Sequence, residues 1–239
     1  MKIREIIKKI ILGKRSSSKS YIEYLRDIGV EIGEDVTIYV PSKTLIDEQY
    51  PWMIAIGNHV RITEGVKILT HDYSWSVLKR LRGCVLGSSG KVVIGNNVFI
   101  GMNSIITCDV NVADNVIIGA GSVVTKDCEE NGVYAGVPAK KIMNVDEYYK
   151  KRIKSQIKEA KRLALAYYER YGRRPEPSIF HEYFMLFETD SSVEKHSLFK
   201  NKMKLCENEI MSMEYMKKNG PKFRNYEEFM RYCFNDESK

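Results

Sequence analysis

From Ile94 onward an aliphatic residue recurs at every sixth position, as Ile94, Ile100, Ile106, Val112, Ile118 and Val124, with Gly95, Gly101 and Gly119 directly after three of them. A 3.6-residue helix would scatter these side chains round its circumference, and a strand alternating every two residues would need more apolar positions than the stretch contains. Four places after each lead residue, Val98, Ser104, Val110, Val116 and Ser122 are all small or β-branched, which suits a second inward position where a coil closes on itself. Gly, Asn and Asp fill the corners between them (Gly95-Asn96-Asn97, Asp114-Asn115, Gly119-Ala120-Gly121), where unusual φ costs them little. A turn at every sixth residue predicts a hexapeptide solenoid: a parallel β-helix with three short faces per coil and about eighteen residues per turn. Ordinary strands joined by Gly-rich turns would not hold one phase through six consecutive repeats.

The same register returns at Ile56-Gly57-Asn58-His59-Val60, Ile62, Val66 and Ile68, and Ile32-Gly33-Glu34-Asp35-Val36 and Ile38 lie twenty-four residues before Ile56 and Ile62. Between Ile68 and Ile94 the phase slips by two residues, so His71 to Lys91 holds an insertion that leaves the coil and returns. A loop of this size in a compact repeat domain is usually functional or mobile. Before the coil, Ser16-Ser17-Ser18 reads as a linker, and Ser20 to Ile28, with Tyr21, Tyr24, Leu25 and Ile28 on one face, as a short helix covering the open first coil. After Pro138 the periodicity turns helical: Asp146 to Tyr171, stopped by Gly172, Pro175 and Pro177, then Ser178–Phe187, Ser192–Lys218, and a last helix from Asn225 with Glu228 in a capping-box position. The predicted organisation is a helical cap over residues 1–30, a mainly β coil domain over 31–142 with its insertion at about 72–91, and an α-helical extension over 143–239. Terminal repeats must be covered, so the helices are expected to cap and to contact other copies.

The net charge of +7 sits outside the coil: residues 1–19 carry seven Lys or Arg against one acid, residues 20–144 carry 11 against 14, and residues 145–239 carry 20 against 16. No basic and aromatic platform for nucleic acid is visible, which leaves acidic small molecules and membrane surfaces as partners. At the amino terminus Ile3, Ile6, Ile7, Ile10 and Ile11 share one helical face, but charges interrupt it too often for a signal peptide or a membrane span. Two readings stand: a helix packed on the body or on a neighbouring subunit, or a peripheral membrane helix whose Lys2, Lys8, Lys9, Lys14 and Arg15 meet anionic lipid. The five cysteines (Cys84, Cys108, Cys128, Cys206, Cys233) are odd in number and lack a CxxC spacing. They suggest neither a disulfide framework nor a zinc cluster, no metal is expected, and a reducing cytoplasm fits best.

His71 stands at Leu69-Thr70-His71-Asp72-Tyr73, where the coil ends and the insertion begins. A neutral imidazole there can take a proton from a hydroxyl or an amine. His59, His181 and His196 show that one histidine at a loop edge is by itself a weak signal.

The stretch Val92 to Ile142, with Ile94-Gly95-Asn96-Asn97-Val98-Phe99-Ile100-Gly101, Ile118-Gly119-Ala120-Gly121-Ser122-Val123-Val124-Thr125-Lys126-Asp127 and Ala135-Gly136-Val137-Pro138-Ala139-Lys140, resembles the hexapeptide-repeat O-acetyltransferases of maltose, galactoside and capsule-type sugars. The resemblance runs from Ile32 to about Ile142. It implies a left-handed β-helix, an exception to the usual right-handed crossover, assembled as a homotrimer with acetyl-CoA between neighbours. The family's catalytic base falls on His71, which implies direct transfer to an acceptor hydroxyl with no acyl-enzyme. Met102 and Ala120 match backbone positions along the pantetheine arm, and Thr125, Lys126 and Lys140 match the nucleotide end, where an ammonium can pair with phosphate. The run Asp72-Tyr73-Ser74-Trp75 after the histidine is closer to polysaccharide-type members than to galactoside-type ones, which carry further His and Glu there.

Three residues complete the expected acceptor side. Asp47 either orients the His71 ring, binds a sugar hydroxyl, or is an exposed loop acid; Asp72 neighbours the base; Trp75 stacks on a sugar or on CoA, or is simply buried under the loop. Asn103 lies at a corner that explains it without a ligand, and Tyr73 and Cys84 receive no role. The function these features imply is acetyl transfer to a saccharide or polysaccharide precursor. An N-acetyltransferase acting on an amino sugar and a non-catalytic trimeric scaffold are the alternatives, and a carbonic-anhydrase-like metal site lacks the histidines it needs.

Overall fold

A computed structural model of the chain describes Ile7 and residues 10–235. The expected amino-terminal isoleucine face therefore lies mostly outside the described residues; Ile7, Ile10 and Ile11 within them are exposed. The chain divides into two compact units, Met1–Tyr148 and Tyr149–Lys239.

In the first unit each coil supplies one short strand to each of three faces. The first coil holds β1 (Glu31–Ile32), β2 (Thr37–Ile38) and β3 (Leu45–Ile46); the second, β4 (Ile54–Ile56), β5 (Arg61–Ile62) and β6 (Lys67–Ile68). The third holds β7 (Val92–Ile94), β8 (Phe99–Ile100) and β9 (Ile105–Ile106); the fourth, β10 (Val110–Val112), β11 (Ile117–Ile118) and β12 (Val123–Val124). The resulting parallel sheets run β1-β4-β7-β10, β2-β5-β8-β11 and β3-β6-β9-β12, and the second is extended by β13 (Gly132–Gly136) and its antiparallel partner β14 (Ala139–Asn144).

The register shows the repeat directly. Val92 pairs with Val110, Phe99 with Ile117 and Ile105 with Val123, each eighteen residues on. Ile54 pairs with Val92, Arg61 with Phe99 and Lys67 with Ile105, thirty-eight apart, so the insertion adds twenty residues to one coil without disturbing any face. All six lead aliphatics from Ile94 to Val124, and the second inward residues Val98, Ser104, Val110, Val116 and Ser122, are at most 1% exposed. The two inward serines stay inside because their hydroxyls donate to the Gly119 carbonyl, at 2.9 Å from Ser104 and 2.6 Å from Ser122. Asn97, Asn103, Asp109, Asn115 and Gly121, again every sixth residue, all have left-handed φ, which is why short polar residues and glycine occupy the corners. At Gly101 a Cβ would lie 2.5 Å from the Ala120 nitrogen of the next coil, so only glycine lets the coils stack there.

The open first coil is covered by α1 (Ser18–Asp27), whose Tyr21, Ile22 and Leu25 join the coil core. Ser17 is not part of a linker. It caps this helix, accepting from the Ser20 backbone, while the Ser20 hydroxyl accepts from Ser17 in return. Lys14 and Arg15 each lie 2.8 Å from the Glu48 carboxylate, so within the described residues these two cations are held on the body of the coil. The insertion contains one helix, α2 (Trp75–Arg82), with no buried residue.

The second unit is helical. The long helix α3 (Val145–Tyr171) enters it, burying Ala160 and Ala164, and α4 (Ser197–Met203), α5 (Glu209–Asn219) and α6 (Tyr226–Phe234) follow. Two expected helices differ. Ser178–Phe187 is instead a pair of 3-10 turns at Pro177–Phe180 and Phe184–Leu186, and Ser192–Lys218 is broken where Cys206 and Glu207 take positive φ. Asn225 does cap α6, its side chain accepting from Glu228 N at 2.9 Å, but the Glu228 carboxylate accepts from the Arg224 backbone instead of closing a box.

Candidate active site

The third face ends at an edge where β3 and β6 hand the chain to their loops. Asp47 follows β3, its backbone N–H donating to the Ile68 carbonyl, and Thr70 and His71 follow β6. Across the neck of the insertion Gly90 donates to the Thr70 carbonyl and His71 bridges to Ser89, so His71 stands on closed scaffold, not on a free loop.

Asp47 is the anchor of this edge. It is 7% exposed, and its Oδ2 accepts from His71 Nδ1 at 2.6 Å, Thr70 Oγ1 at 2.5 Å and Thr70 N at 3.0 Å, while Oδ1 accepts from Gln49 N at 2.9 Å. Burial opposes its ionisation, but the bonds from Thr70, Gln49 and His71 together outweigh it and hold the carboxyl below the ordinary aspartate value. An ionised carboxylate only accepts, so His71 Nδ1 carries the proton and Nε2 is left as the nitrogen that can receive one. Of the alternatives open for Asp47, the geometry selects contact with the His71 ring.

Two aromatic pairs flank this edge. The Tyr50 ring meets His71 edge-on at 5.3 Å, and Trp52 lies 5.7 Å beyond Tyr50; after the histidine, Tyr73 packs on Trp75 at 4.5 Å. Trp75 is half-buried and pairs with Tyr73, and the exposed Asp72 turns its carboxylate to Ser74 N at 2.8 Å. Thr70, Tyr50 and Trp52 were not singled out by sequence. A signal existed for Tyr50 and Trp52 in the aromatic pair three and five residues after Asp47.

A second histidine–aspartate pair sets the first in relief. His59 Nδ1 lies 3.0 Å from Asp35 Oδ2, with the same twenty-four-residue separation, twelve residues earlier in the chain. There Arg61 also grips Asp35 at 2.6 Å and no insertion follows, so the pair reads as a corner tie.

The remaining expected residues occupy several places. Thr125 and Lys126 leave β12 at the same edge of the third face as His71, with β9 between; both are exposed, and Lys126 forms no ion pair among the described residues. Met102 and Ala120 stand at the opposite edge of that face, in the corners that lead into β9 and β12. The Met102 carbonyl is taken by Gly121 N at 2.7 Å, so it belongs to the coil ladder. Lys140 lies exposed on β14, while its neighbour Lys141 lies 3.5 Å from Glu129. Exposed ammonium groups at Lys126 and Lys140 suit a phosphorylated ligand.

Residues 91–126 match the family model described as bacterial transferase hexapeptide (six repeats). The chain is 43% identical over 138 residues to Protein CapG of Staphylococcus aureus, covering 57% of this chain and 77% of that relative. The chain belongs to the hexapeptide-repeat acyltransferase family. Solved structures similar to it include a maltose O-acetyltransferase from Clostridium difficile 630, at 25% identity and TM-score 0.42 over 59% of this chain and 83% of that one. Another is a hexapeptide-repeat containing acetyltransferase from Vibrio cholerae, at 18% identity and TM-score 0.44 over 59% and 89%. At these scores the two likenesses add nothing to the assignment.

Proposed function

We propose that this acyltransferase moves an acetyl group from acetyl-CoA to a hydroxyl of a sugar or polysaccharide precursor, with His71 as general base. The observation that carries the proposal is the His71–Asp47 contact of 2.6 Å, which fixes the imidazole tautomer at the neck of the insertion. Acetyl-CoA, a substrate here, supplies a thioester carbonyl open to attack by an alkoxide, with a thiolate as leaving group.

His71 Nε2 takes the acceptor's hydroxyl proton as the new C–O bond forms. The imidazolium is held by the Asp47 carboxylate and then returns the proton to the departing sulfur, so no group on the chain is acylated. Asp47 touches neither substrate; it orients the ring and stabilises its charged form. Lys126, with Thr125 before it in the chain, and Lys140 are assigned to the phosphates of the donor, and the N–H groups of Met102 and Ala120 to its amides. Trp75 and Asp72 are assigned to the acceptor side.

The family resemblance supports a left-handed coil and three copies per molecule, with the groove between copies as the donor site. It also supports reading residues 1–30 and 143–239 as appendages to the 31–142 coil. The odd number of cysteines and the lack of a CxxC spacing support a cytoplasmic location, and no helix among the described residues is long and apolar enough to cross a membrane.

Thiol release from acetyl-CoA, followed across neutral, amino and uronic saccharides, tests the proposal. The expected product is an ester, cleaved by mild alkali. An alkali-stable amide would place the enzyme on amino groups instead, and no release with any acceptor would remove the catalytic reading.

A further inference from the structure

The chain contains two tryptophans, Trp52 and Trp75, and both lie within a few residues of the Asp47–His71 pair, each against a tyrosine ring. Trp52 is 67% exposed and Tyr50, between it and the base, is partly buried, so the indole is supported from beneath while much of its surface stays open. Two ring-to-ring steps, 5.3 Å from His71 to Tyr50 and 5.7 Å from Tyr50 to Trp52, lead outward from the imidazole. Pro51 opens the short 3-10 turn Pro51–Met53 and is buried, and the Met53 backbone donates to the Tyr50 carbonyl at 2.9 Å, which fixes the turn that carries both rings.

The geometry points to Tyr50 and Trp52 as an acceptor subsite for a second sugar ring, adjacent to the one that carries the reacting hydroxyl. This rests on the proposed saccharide acceptor and narrows it to a disaccharide or longer chain. An aromatic face carries partial negative charge, and the C–H face of a pyranose carries partial positive charge, so the two stack while the ring hydroxyls remain in water at the rim. A monosaccharide acceptor would reach the base without touching Trp52. The Tyr73–Trp75 pair sits on the other side of His71 in the chain and belongs to the insertion, whereas Trp52 lies in the turn that joins β3 to β4.

The experiment uses the full-length protein and a panel of neutral, amino and uronic monosaccharides with their disaccharides. The part of the tryptophan emission that Trp52→Phe removes reports on Trp52 in the otherwise unaltered protein, and it is expected to change with the disaccharides that are turned over and to be indifferent to acetyl-CoA alone. Trp52→Ala is expected to raise KM for a disaccharide about tenfold and to cut the disaccharide-over-monosaccharide preference by the same factor, with kcat little changed and Trp52→Phe restoring most of the loss. A raised KM for acetyl-CoA would overturn the subsite by assigning the indole to the donor. So would an unchanged KM, or a loss of assembly in sedimentation, which would assign it to a subunit contact. If His71→Asn keeps full turnover, the base assignment fails while the Trp52 readouts stand. If Trp52 responds to disaccharides that are never acetylated, the saccharide subsite holds and the transfer reading fails.

Discussion

Asp47 shows how one buried carboxylate can organise a site from ordinary parts. Its three donors besides His71 are a hydroxyl and two backbone N–H groups, so the imidazole meets an acceptor whose position is already fixed. Asp47→Asn keeps the shape but offers an amide whose N–H₂ conflicts with the donors around it. It is expected to lower kcat about tenfold or more with little effect on the KM for acetyl-CoA, which steady-state kinetics will check. The same carboxylate sets a pH dependence. Its folded pKa lies below the ordinary 3.8, so the stability it contributes is fully present above that value and is lost as pH falls through the lower native one. The stability gap between wild type and Asp47→Asn, read from urea melts, should therefore shrink in acid as pH falls below 3.8.

His71 stood out in the sequence through the family resemblance and its place where the coil ends, and contact with its ring was one of three readings open for Asp47. Thr70 and Tyr50 did not stand out, because a hydroxyl turned inward and a ring meeting another edge-on leave no periodic trace.

At the scale of the elements, the six-residue beat specified the coil almost completely, since each lead position is buried by its neighbours above and below whatever the loops do. Truncating one of these removes methyl groups from a stack that cannot collapse around the gap. Ile106→Ala, at a position 0% exposed between β6 and β12, is expected to cost about 2–5 kcal/mol, measured by denaturant unfolding. The helical unit was read less well, for a physical reason. Phe180, Phe184 and Phe187 have helical spacing, yet they converge on one core from two short turns, where Phe187 stacks on Phe229 and Phe184 on Phe199. Spacing reported which face is buried and not which backbone buries it. Likewise the left-handed residues Cys206 and Glu207, which break an otherwise helical stretch, are of types that carry no turn signal.

In the molecule as a whole, the candidate site lies in the coil while the charge excess lies outside it. Thiol reactivity follows the two cores. Burial pushes the Cys128 thiol up to about 12 and the Cys233 thiol up to about 11. A disulfide reagent at mildly alkaline pH should therefore label Cys84, Cys108 and Cys206 in the native protein and reach Cys128 and Cys233 only on unfolding, as peptide mapping will show. Early labelling of Cys128 would mean that the coil opens in solution. The insertion adds twenty residues to one coil, and its neck is closed where His71 bridges to Ser89.

The most direct test of that account is the acceptor-dependent rate of thiol release from acetyl-CoA by His71→Asn, compared with the wild-type protein at equal folded concentration. A neutral amide in place of the imidazole should reduce kcat by about a hundredfold or more while acetyl-CoA still binds. Turnover within a few-fold of wild type would contradict the role given to His71, and with it the meaning of the Asp47 contact.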